Sequence, residues 1–157
     1  MIKIKKPKIV FLVSEDKYYI YDFISKISNL PSVNIKLIVI QKYKETFKRK
    51  IILSFLFGFL NCLNLFYQLV FKRSSISITG FCKDNNINYI VTDDLNDPKI
   101  THNIQNQKAD LIINLNVMKL IKKNFLKKFQ KILINFHPGI LPKYRGLYST
   151  FYKIINK

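Results

Sequence analysis

Two side chains near the end of an apolar run, Asn135 and His137, carry groups that can act on a reacting carbonyl. An amide can donate a hydrogen bond to an oxygen on which negative charge develops, and an imidazole can move a proton near neutral pH. If the run is a β-strand, its period of two places both side chains on one face. Pro138 and Pro142 then stiffen the following loop, and Gly139 lets the backbone approach a ligand closely. Taken alone, the pair also fits a strand-end turn with a surface histidine.

The rest of the chain alternates short apolar runs with segments of helical spacing. The runs are continuously apolar and rich in β-branched residues, which is typical of strands buried on both faces. The segment 119–130 predicts an amphipathic helix whose inward residues are Ile121, Phe125, Leu126 and Phe129. The predicted strands cover Ile9–Val13, Ile35–Ile40, Asn88–Thr92, Asp110–Leu115 and Ile132–Phe136, and the other predicted helices cover Tyr18–Ile27, 75–86, 99–107 and Tyr148–Ile155.

This alternation predicts an α/β fold with three layers, Rossmann-like, in which helices cover both faces of a mainly parallel sheet. The length of 157 residues suits one domain, 1–157. In such folds ligands bind in the crevice beyond the carboxyl ends of the strands. The segments that follow the predicted strands are therefore the places to inspect, namely Ser14–Asp16, Gln41–Lys42, Thr92–Asp94, Asn116–Met118 and His137–Gly139.

Composition excludes several classes of function. With four glycines, the chain has neither the dinucleotide-binding glycine motif nor the P-loop motif. Two cysteines and two histidines, without a CxxC pair, exclude a disulfide-rich scaffold and a Cys/His zinc module. Three aspartates, Asp93, Asp94 and Asp97, lie beside Asn96 and Pro98, a pattern that favours a capped turn over a metal site.

The net charge of +18 comes from 24 lysines and only 3 arginines against 9 acidic residues. Such a surface attracts nucleic acid without specificity. A protein that reads bases would carry more arginine, because its guanidinium binds guanine through two hydrogen bonds. No specific nucleic-acid partner is therefore expected.

One uncharged segment, Ile51–Phe71, interrupts the alternation. As a helix it would be about 31 Å long, enough to cross a bilayer core of roughly 30 Å. Basic residues flank both ends, and a crossing would separate two strands from the rest of the sheet. The segment is therefore predicted as an apolar helical insertion, about 48–73, packed on the domain, with peripheral membrane contact as a further interpretation.

Residues 134–146 read Ile-Asn-Phe-His-Pro-Gly-Ile-Leu-Pro-Lys-Tyr-Arg-Gly. This stretch resembles the Asn-x-His-Pro-[Ser/Gly]-x-Leu-Pro signature of the folate-dependent formyltransferases, which include methionyl-tRNA, glycinamide ribonucleotide and sugar-nucleotide formyltransferases. Lys8–Ser14 resembles the first strand of that family, and Asp110–Ile121 resembles its Asp-Leu-[Ile/Val] strand with the following loop. The resemblance covers most of residues 8–155 and indicates the N-terminal catalytic domain.

The resemblance implies transfer of a formyl group from 10-formyltetrahydrofolate to an amine. It implies that Asn135 stabilises the oxyanion and that His137 acts as the acid and base. The loop that would bind the pterin of the cofactor comprises Met118, Lys119, Leu120 and Ile121. The active-site loop comprises Pro138, Gly139, Leu141 and Pro142.

The family's third catalytic residue, an aspartate well beyond the His-Pro motif, has no match here because no acidic residue follows Asp110. The chain is therefore expected to be a truncated fragment or a reduced relative that lacks the last strands. Alone, it is expected to be inactive or nearly so. The apolar sheet edge left in this way would invite a homo-oligomer or a completing partner.

The expected acceptor is an amino-sugar nucleotide, because the Pro-Gly-x-Leu-Pro-x-Tyr-Arg-Gly form resembles the sugar-modifying members most. A fragment of a methionyl-tRNA formyltransferase is the second interpretation. A non-catalytic folate-binding or membrane-associated interaction domain is an alternative of a different class. The apolar run Ile9–Val13 is shorter than the roughly 7–15 residues of a signal peptide core, so a cytoplasmic location is expected, with membrane association as the alternative.

Overall fold

The computed structural model describes residues 5–15, 20–42, 77–117, 119–137 and 139–144. The strands are β1 (Lys8–Ser14), β2 (Asn34–Gln41), β3 (Tyr89–Thr92), β4 (Leu111–Leu115) and β5 (Leu133–Phe136). The helices within these ranges are α1 (Ile20–Ser28), α2 (Ile78–Asp84), α3 (Pro98–Asn106) and α4 (Lys123–Phe129). All five strands predicted from the sequence are confirmed, because a continuous apolar run leaves few alternatives to a buried strand.

The five strands form one sheet in the order β3-β2-β1-β4-β5, and every neighbouring pair is parallel. The predicted α/β fold is therefore confirmed. The chain builds the sheet outward from β1 to β3 and then returns to place β4 on the other side of β1. The carboxyl ends of β1 and β4 thus flank the point where the strand order reverses, which is where α/β sheets open a crevice for ligands.

The central strand β1 is buried on both faces by two separate apolar clusters. Phe11 and Val13 belong to the cluster that α1 and α2 cover. Val10 and Leu12 belong to the cluster that α3 and α4 cover. Because successive side chains of a strand point to opposite faces, the apolar run of β1 contributes side chains to both clusters. The sheet is therefore covered by helices on both faces, which gives three layers.

The segment predicted as one helix over 119–130 becomes a loop followed by a shorter helix. α4 begins at Lys123, after Lys122 in an extended conformation. Phe125 and Phe129 are buried as predicted, whereas the predicted inward position of Leu126 is wrong because its side chain is exposed. Hydrogen bonds to other loops hold the residues before Lys123 out of the helix, which periodicity alone does not reveal.

Among the described residues, β5 is an edge strand of the sheet and presents apolar side chains to solvent. Ile134 is 50% exposed and Phe136 is 60% exposed. Both side chains lie on the face of the sheet that α1 covers at the central strands. Ile134 is the register partner of Ile113 on β4, and Ile113 packs against the cluster that α1 and α2 cover. The ring of Phe136 reaches the ring of Phe23 in α1, with 6.0 Å between their centroids.

Several predicted features lie outside the described residues. They are the apolar insertion over about 48–73 with its segment Ile51–Phe71, and the predicted helix Tyr148–Ile155. In the part of the chain that the structure describes, no helix combines the length and the apolar character that crossing a membrane requires.

Candidate functional site

The two motif loops emerge side by side from the same edge of the sheet. β4 and β5 are neighbouring parallel strands, with Asn114 paired to Asn135 and Leu115 paired to Phe136. The loop after β4 therefore lies beside His137, which directly follows β5. The predicted pterin loop and the predicted active-site loop thus begin at the same edge of the sheet, although Met118 and Pro138 lie outside the described residues.

The side-chain amide of Asn135 is held by a second asparagine. Nδ2 of Asn114 donates a hydrogen bond of 2.8 Å to Oδ1 of Asn135. Asn114 is only 7% exposed, whereas Asn135 is exposed at the end of the sheet. The carbonyl end of the Asn135 amide is therefore engaged by the fold, and its amino end is the one that can donate to a ligand.

His137 is fixed by the backbone of its own loop. Its Nδ1 atom lies 3.0 Å from the carbonyl oxygen of Gly139 and 3.1 Å from the amide nitrogen of the same residue. Nδ1 can donate to the oxygen when it carries a hydrogen, or accept from the N–H when it does not. The ring is thus anchored through Nδ1 in either tautomer, and Nε2 is the nitrogen that remains for chemistry.

Asn96 fixes the predicted pterin loop from the loop after β3. Its Nδ2 donates to the carbonyl oxygen of Leu120 at 3.1 Å, and its Oδ1 accepts from the backbone nitrogen of Lys122 at 2.7 Å. Asp94 in turn accepts two hydrogen bonds from Asn96, one from the backbone and one from Nδ2. Leu120 and Lys122 are therefore held in place by the loop after β3.

The hydrogen bonds from Asn96 lower the pKa of the Asp94 carboxyl from its ordinary value of 3.8, and the charges of Lys119 and Lys122 lower it further. Asp97 caps α3, since its side chain accepts from the backbone nitrogen of Lys99 at 2.8 Å. The prediction of a capped turn is confirmed. Among the described residues, no three His, Cys, Asp or Glu side chains gather as metal ligands.

Lys119 joins the same loop to β2 and β3. Its backbone nitrogen donates to Oε1 of Gln41, which ends β2 and is 1% exposed, and its ammonium donates to the carbonyl oxygen of Asp93. The Nε2 atom of Gln41 is buried and has no hydrogen-bond partner in the part of the chain that the structure describes. Ser14, at the end of β1, donates to the carbonyl oxygen of Asn116 and ties the loop to the central strand.

The apolar residues of the two predicted loops are largely free of the core. Leu120 is 86% exposed, and Leu141 is also exposed. Ile121 is partly buried against the α3 and α4 cluster, and Gly139 is buried. The Leu141–Pro142 peptide bond is cis. The two loops therefore carry exposed apolar side chains at the edge of the sheet where Asn135 and His137 lie, and a mixture of apolar and polar groups is typical of small-molecule sites.

Sequence reasoning did not assign a role to Asn96 or Asn114. Asn96 was interpreted only as part of a turn, and its contacts are 24 and 26 residues away in sequence. Asn114 had one local signal, because it is the single polar residue within the apolar strand Leu111–Leu115. A polar residue in such a strand needs a partner, and only the strand register shows which one.

The comparisons with known proteins agree with this architecture. The chain is 25% identical over 151 residues, 96% of its length, to methionyl-tRNA formyltransferase from Finegoldia magna, of which it covers 41%. It is 32% identical over 84 residues, 54% of its length, to phosphoribosylglycinamide formyltransferase from Haemophilus influenzae, of which it covers 37%. It is 43% identical over 51 residues, 32% of its length, to GDP-perosamine N-formyltransferase from Brucella melitensis, of which it covers 20%. The chain thus spans less than half the length of these relatives.

Solved structures show the same fold. The phosphoribosylglycinamide formyltransferase of Anaplasma phagocytophilum matches 97% of this chain over 59% of its own, with a TM-score of 0.64 and 16% identity. The enzyme of the same name from Brucella melitensis matches 97% over 67%, with a TM-score of 0.64 and 14% identity. The family model described as formyl transferase matches residues 68–154, more than half of the sequence. The chain therefore belongs to the formyl transferase family.

Proposed function

We propose that the protein transfers a formyl group from 10-formyltetrahydrofolate, the donor used by its family, to an amine. The observation that carries the proposal is the position of Asn135 and His137 at the carboxyl end of β5, beside the loop that follows β4. Neighbouring parallel strands bring a loop suited to the donor and a pair of reactive side chains to one crevice. Family membership supplies the reaction class.

The residues of the predicted pterin loop fit a flat, partly apolar ligand. The loop is braced by Asn96 and by Gln41, so its shape is set in advance. Leu120 offers an exposed apolar surface. Beside Lys119, the buried Nε2 atom of Gln41 has no hydrogen-bond partner among the described residues and can donate to a ligand. When bound, 10-formyltetrahydrofolate would supply the formyl carbon that the amine attacks.

Asn135 would stabilise the charge that develops on the formyl oxygen. In the reaction, the amine nitrogen bonds to the formyl carbon, the bond from that carbon to the folate nitrogen breaks, and the proton lost by the amine replaces the formyl group on that nitrogen. Negative charge grows on the formyl oxygen as the amine attacks. The Nδ2 hydrogens of Asn135 can donate to that oxygen because Asn114 already engages the other end of the amide.

His137 would carry the proton. When Nδ1 bears a hydrogen, it donates to the carbonyl oxygen of Gly139 and leaves a lone pair on Nε2 to accept the amine proton. The imidazolium that results keeps the same bond, so the ring does not have to move between its two roles. Nε2 then returns the proton to the leaving nitrogen.

An amino-sugar nucleotide is the proposed acceptor. It is supported by the Pro-Gly-x-Leu-Pro-x-Tyr-Arg-Gly form of residues 138–146 and by the 43% identity to a GDP-perosamine N-formyltransferase over 51 residues. Methionyl-tRNA is the second candidate. It is favoured by the alignment with a methionyl-tRNA formyltransferase over 96% of this chain.

The test is a formyl-transfer assay on the full-length protein that the gene encodes. Amino-sugar nucleotides, glycinamide ribonucleotide and charged initiator tRNA are offered as separate acceptors with 10-formyltetrahydrofolate. We expect turnover with an amino-sugar nucleotide, and we expect His137→Ala to lower kcat by about 10²- to 10⁴-fold.

The outcomes separate the proposal from its alternatives. Turnover only with charged tRNA would replace the proposed acceptor with the second candidate. Folate binding by calorimetry without turnover on any amine would favour a non-catalytic folate-binding domain. An active His137→Ala variant would contradict the proposed role of the imidazole.

A further inference from the structure

Asn114 is a buried polar side chain whose neighbours on the same face of the sheet are apolar. Its register partner on β1 is Leu12, and its neighbour on the same face of β4 is Ile112. Leu12 and Ile112 are both buried in the cluster that α3 and α4 cover. The Oδ1 atom of Asn114 is buried and has no hydrogen-bond partner among the described residues. An unsatisfied buried acceptor destabilises a fold, whereas a leucine at this position would not. Such exceptions to local packing rules concentrate at functional sites.

The one hydrogen bond that the Asn114 side chain makes leads to the proposed oxyanion donor. Its Nδ2 donates to Oδ1 of Asn135, its register partner across β4 and β5. In the reverse arrangement, the nitrogen and oxygen of each side-chain amide exchange places, and Asn135 donates to Asn114. Nδ2 of Asn114 would then occupy the buried position that has no hydrogen-bond partner among the described residues. Orphaned N–H groups are rarer in proteins than under-satisfied carbonyls, so the observed direction is the favoured one.

We infer that Asn114 is a positioning residue, which orients the Asn135 amide so that its amino end faces the reacting formyl oxygen. The inference rests on the proposed function. Without Asn114, the exposed amide of Asn135 could rotate and present its carbonyl oxygen to the developing negative charge, which would repel it. By holding Oδ1, Asn114 supplies the donor in its reactive orientation before substrate binds.

The first experiment compares wild type with Asn114→Leu, which keeps the number and branching of the side-chain heavy atoms and removes the donor. We expect kcat to fall by about tenfold to a hundredfold, less than for loss of Asn135 itself, while the KM for the folate stays within about twofold. Asn85→Leu is the matched control, because the Asn85 side chain also donates one hydrogen bond, to the carbonyl oxygen of Phe81, at the end of α2. That variant should lose stability without losing kcat.

The second experiment uses Asn114→Asp to reverse the bond. An ionised carboxylate can only accept, so it would draw Nδ2 of Asn135 toward itself and turn the carbonyl oxygen toward the substrate. A protonated carboxyl can donate to Oδ1 and preserve the orientation. Burial raises the pKa of the introduced carboxyl above its ordinary range. We therefore expect the kcat of Asn114→Asp, relative to that of wild type, to fall as pH rises through that pKa. Both kcat values are normalised to the folded fraction measured by circular dichroism.

A third readout does not depend on turnover. In ¹⁵N relaxation of the side-chain amides, Nδ2 of Asn135 should be rigid in wild type and mobile in Asn114→Leu. Equal mobility in the two proteins, or unchanged kcat in an active protein, would overturn the inference. A wild-type protein without transfer activity would instead overturn the proposed function, and the relaxation data would still decide whether Asn114 positions the amide.

Discussion

Asn96 and Lys122, 26 residues apart in sequence, are joined by a 2.7 Å hydrogen bond from the backbone nitrogen of Lys122 to Oδ1 of Asn96. The same amide donates to the carbonyl oxygen of Leu120, so one side chain satisfies two backbone groups of the proposed pterin loop. The loop after β3 thus sets the conformation of the loop after β4, and α4 begins only after Lys122.

We predict that Asn96→Ala weakens folate binding more than it slows the chemical step. Two lost hydrogen bonds of about 1 kcal/mol each correspond to a rise in Kd of roughly fivefold to thirtyfold, with kcat within about twofold. Calorimetry and steady-state kinetics measure the two effects. Asn103→Ala, at an exposed position of α3, is the matched control and should bind normally. A loss of kcat without a change in Kd would contradict this role.

Asn135→Ala removes the proposed donor to the formyl oxygen. We predict a fall in kcat of about 10²- to 10³-fold with folate affinity preserved, because the charge develops only in the transition state. Rapid-quench kinetics and fluorescence titration with a folate analogue test both parts. Asn135→Asp should be at least as inactive, since a carboxylate cannot donate. Near-normal turnover in either variant would remove Asn135 from the mechanism.

The pH dependence of stability reports on the Asp94 carboxyl. Its pKa is lowered by hydrogen bonds from Asn96, so the folded state favours the ionised form. The stabilisation is present above the ordinary pKa of 3.8 and is lost as pH falls through the lowered folded value. We predict that the Tm difference between wild type and Asp94→Asn is constant above about pH 5 and narrows below pH 4.

The partner of Asp94 provides the control for that prediction. In an Asn96→Ala background the hydrogen bond from Nδ2 of Asn96 to Asp94 is removed while the one from the backbone nitrogen remains, so the pH dependence of the Tm difference should be reduced but not abolished. An equal pH dependence in the two backgrounds would show that the Asn96 side chain does not contribute to lowering the pKa of Asp94.

Ile134 offers a test of the exposed edge strand. Half of its side chain faces solvent on β5, which is an edge strand among the described residues, and the unpaired backbone groups of an edge strand can accept another strand. We predict that Ile134→Lys reduces self-association in sedimentation velocity and changes the free energy of unfolding by less than about 0.5 kcal/mol. Leu30→Lys, at a similarly exposed position away from β5, should leave association unchanged. If both variants reduced self-association equally, the added positive charge, rather than the exposed edge of β5, would be the cause.

Cys82 reports on opening of the core. Its side chain lies on the inward face of α2 and is fully buried, and burial raises the pKa of its thiol to about 11. We predict that a thiol reagent at pH 7.5 modifies it only at the rate of unfolding, because the thiolate is the reactive form. Cys62→Ser leaves Cys82 as the one thiol, and labelling is followed by mass spectrometry across a urea series. Labelling at the rate of a free peptide thiol would show that α2 opens in the native state.

The sequence alone determined the parts of this protein that depend on local pattern. Apolar runs identified all five strands, because a continuous run buries both faces of a parallel sheet. The stretch from Ile134 to Gly146 identified the family. The helix over 119–130 was predicted too long, since periodicity does not register the hydrogen bonds that Asn96 and Gln41 make to its first residues.

The tertiary structure decided which polar side chains meet. The bond between Asn114 and Asn135 exists because β4 and β5 are neighbours in a particular register. A shift of one residue would turn Asn114 to the opposite face from Asn135. The hydrogen bond from Ser14 to Asn116 spans 102 residues and depends on the chain returning to β1 after β3. Such contacts follow from the packing of the whole sheet, and local spacing carries no information about them.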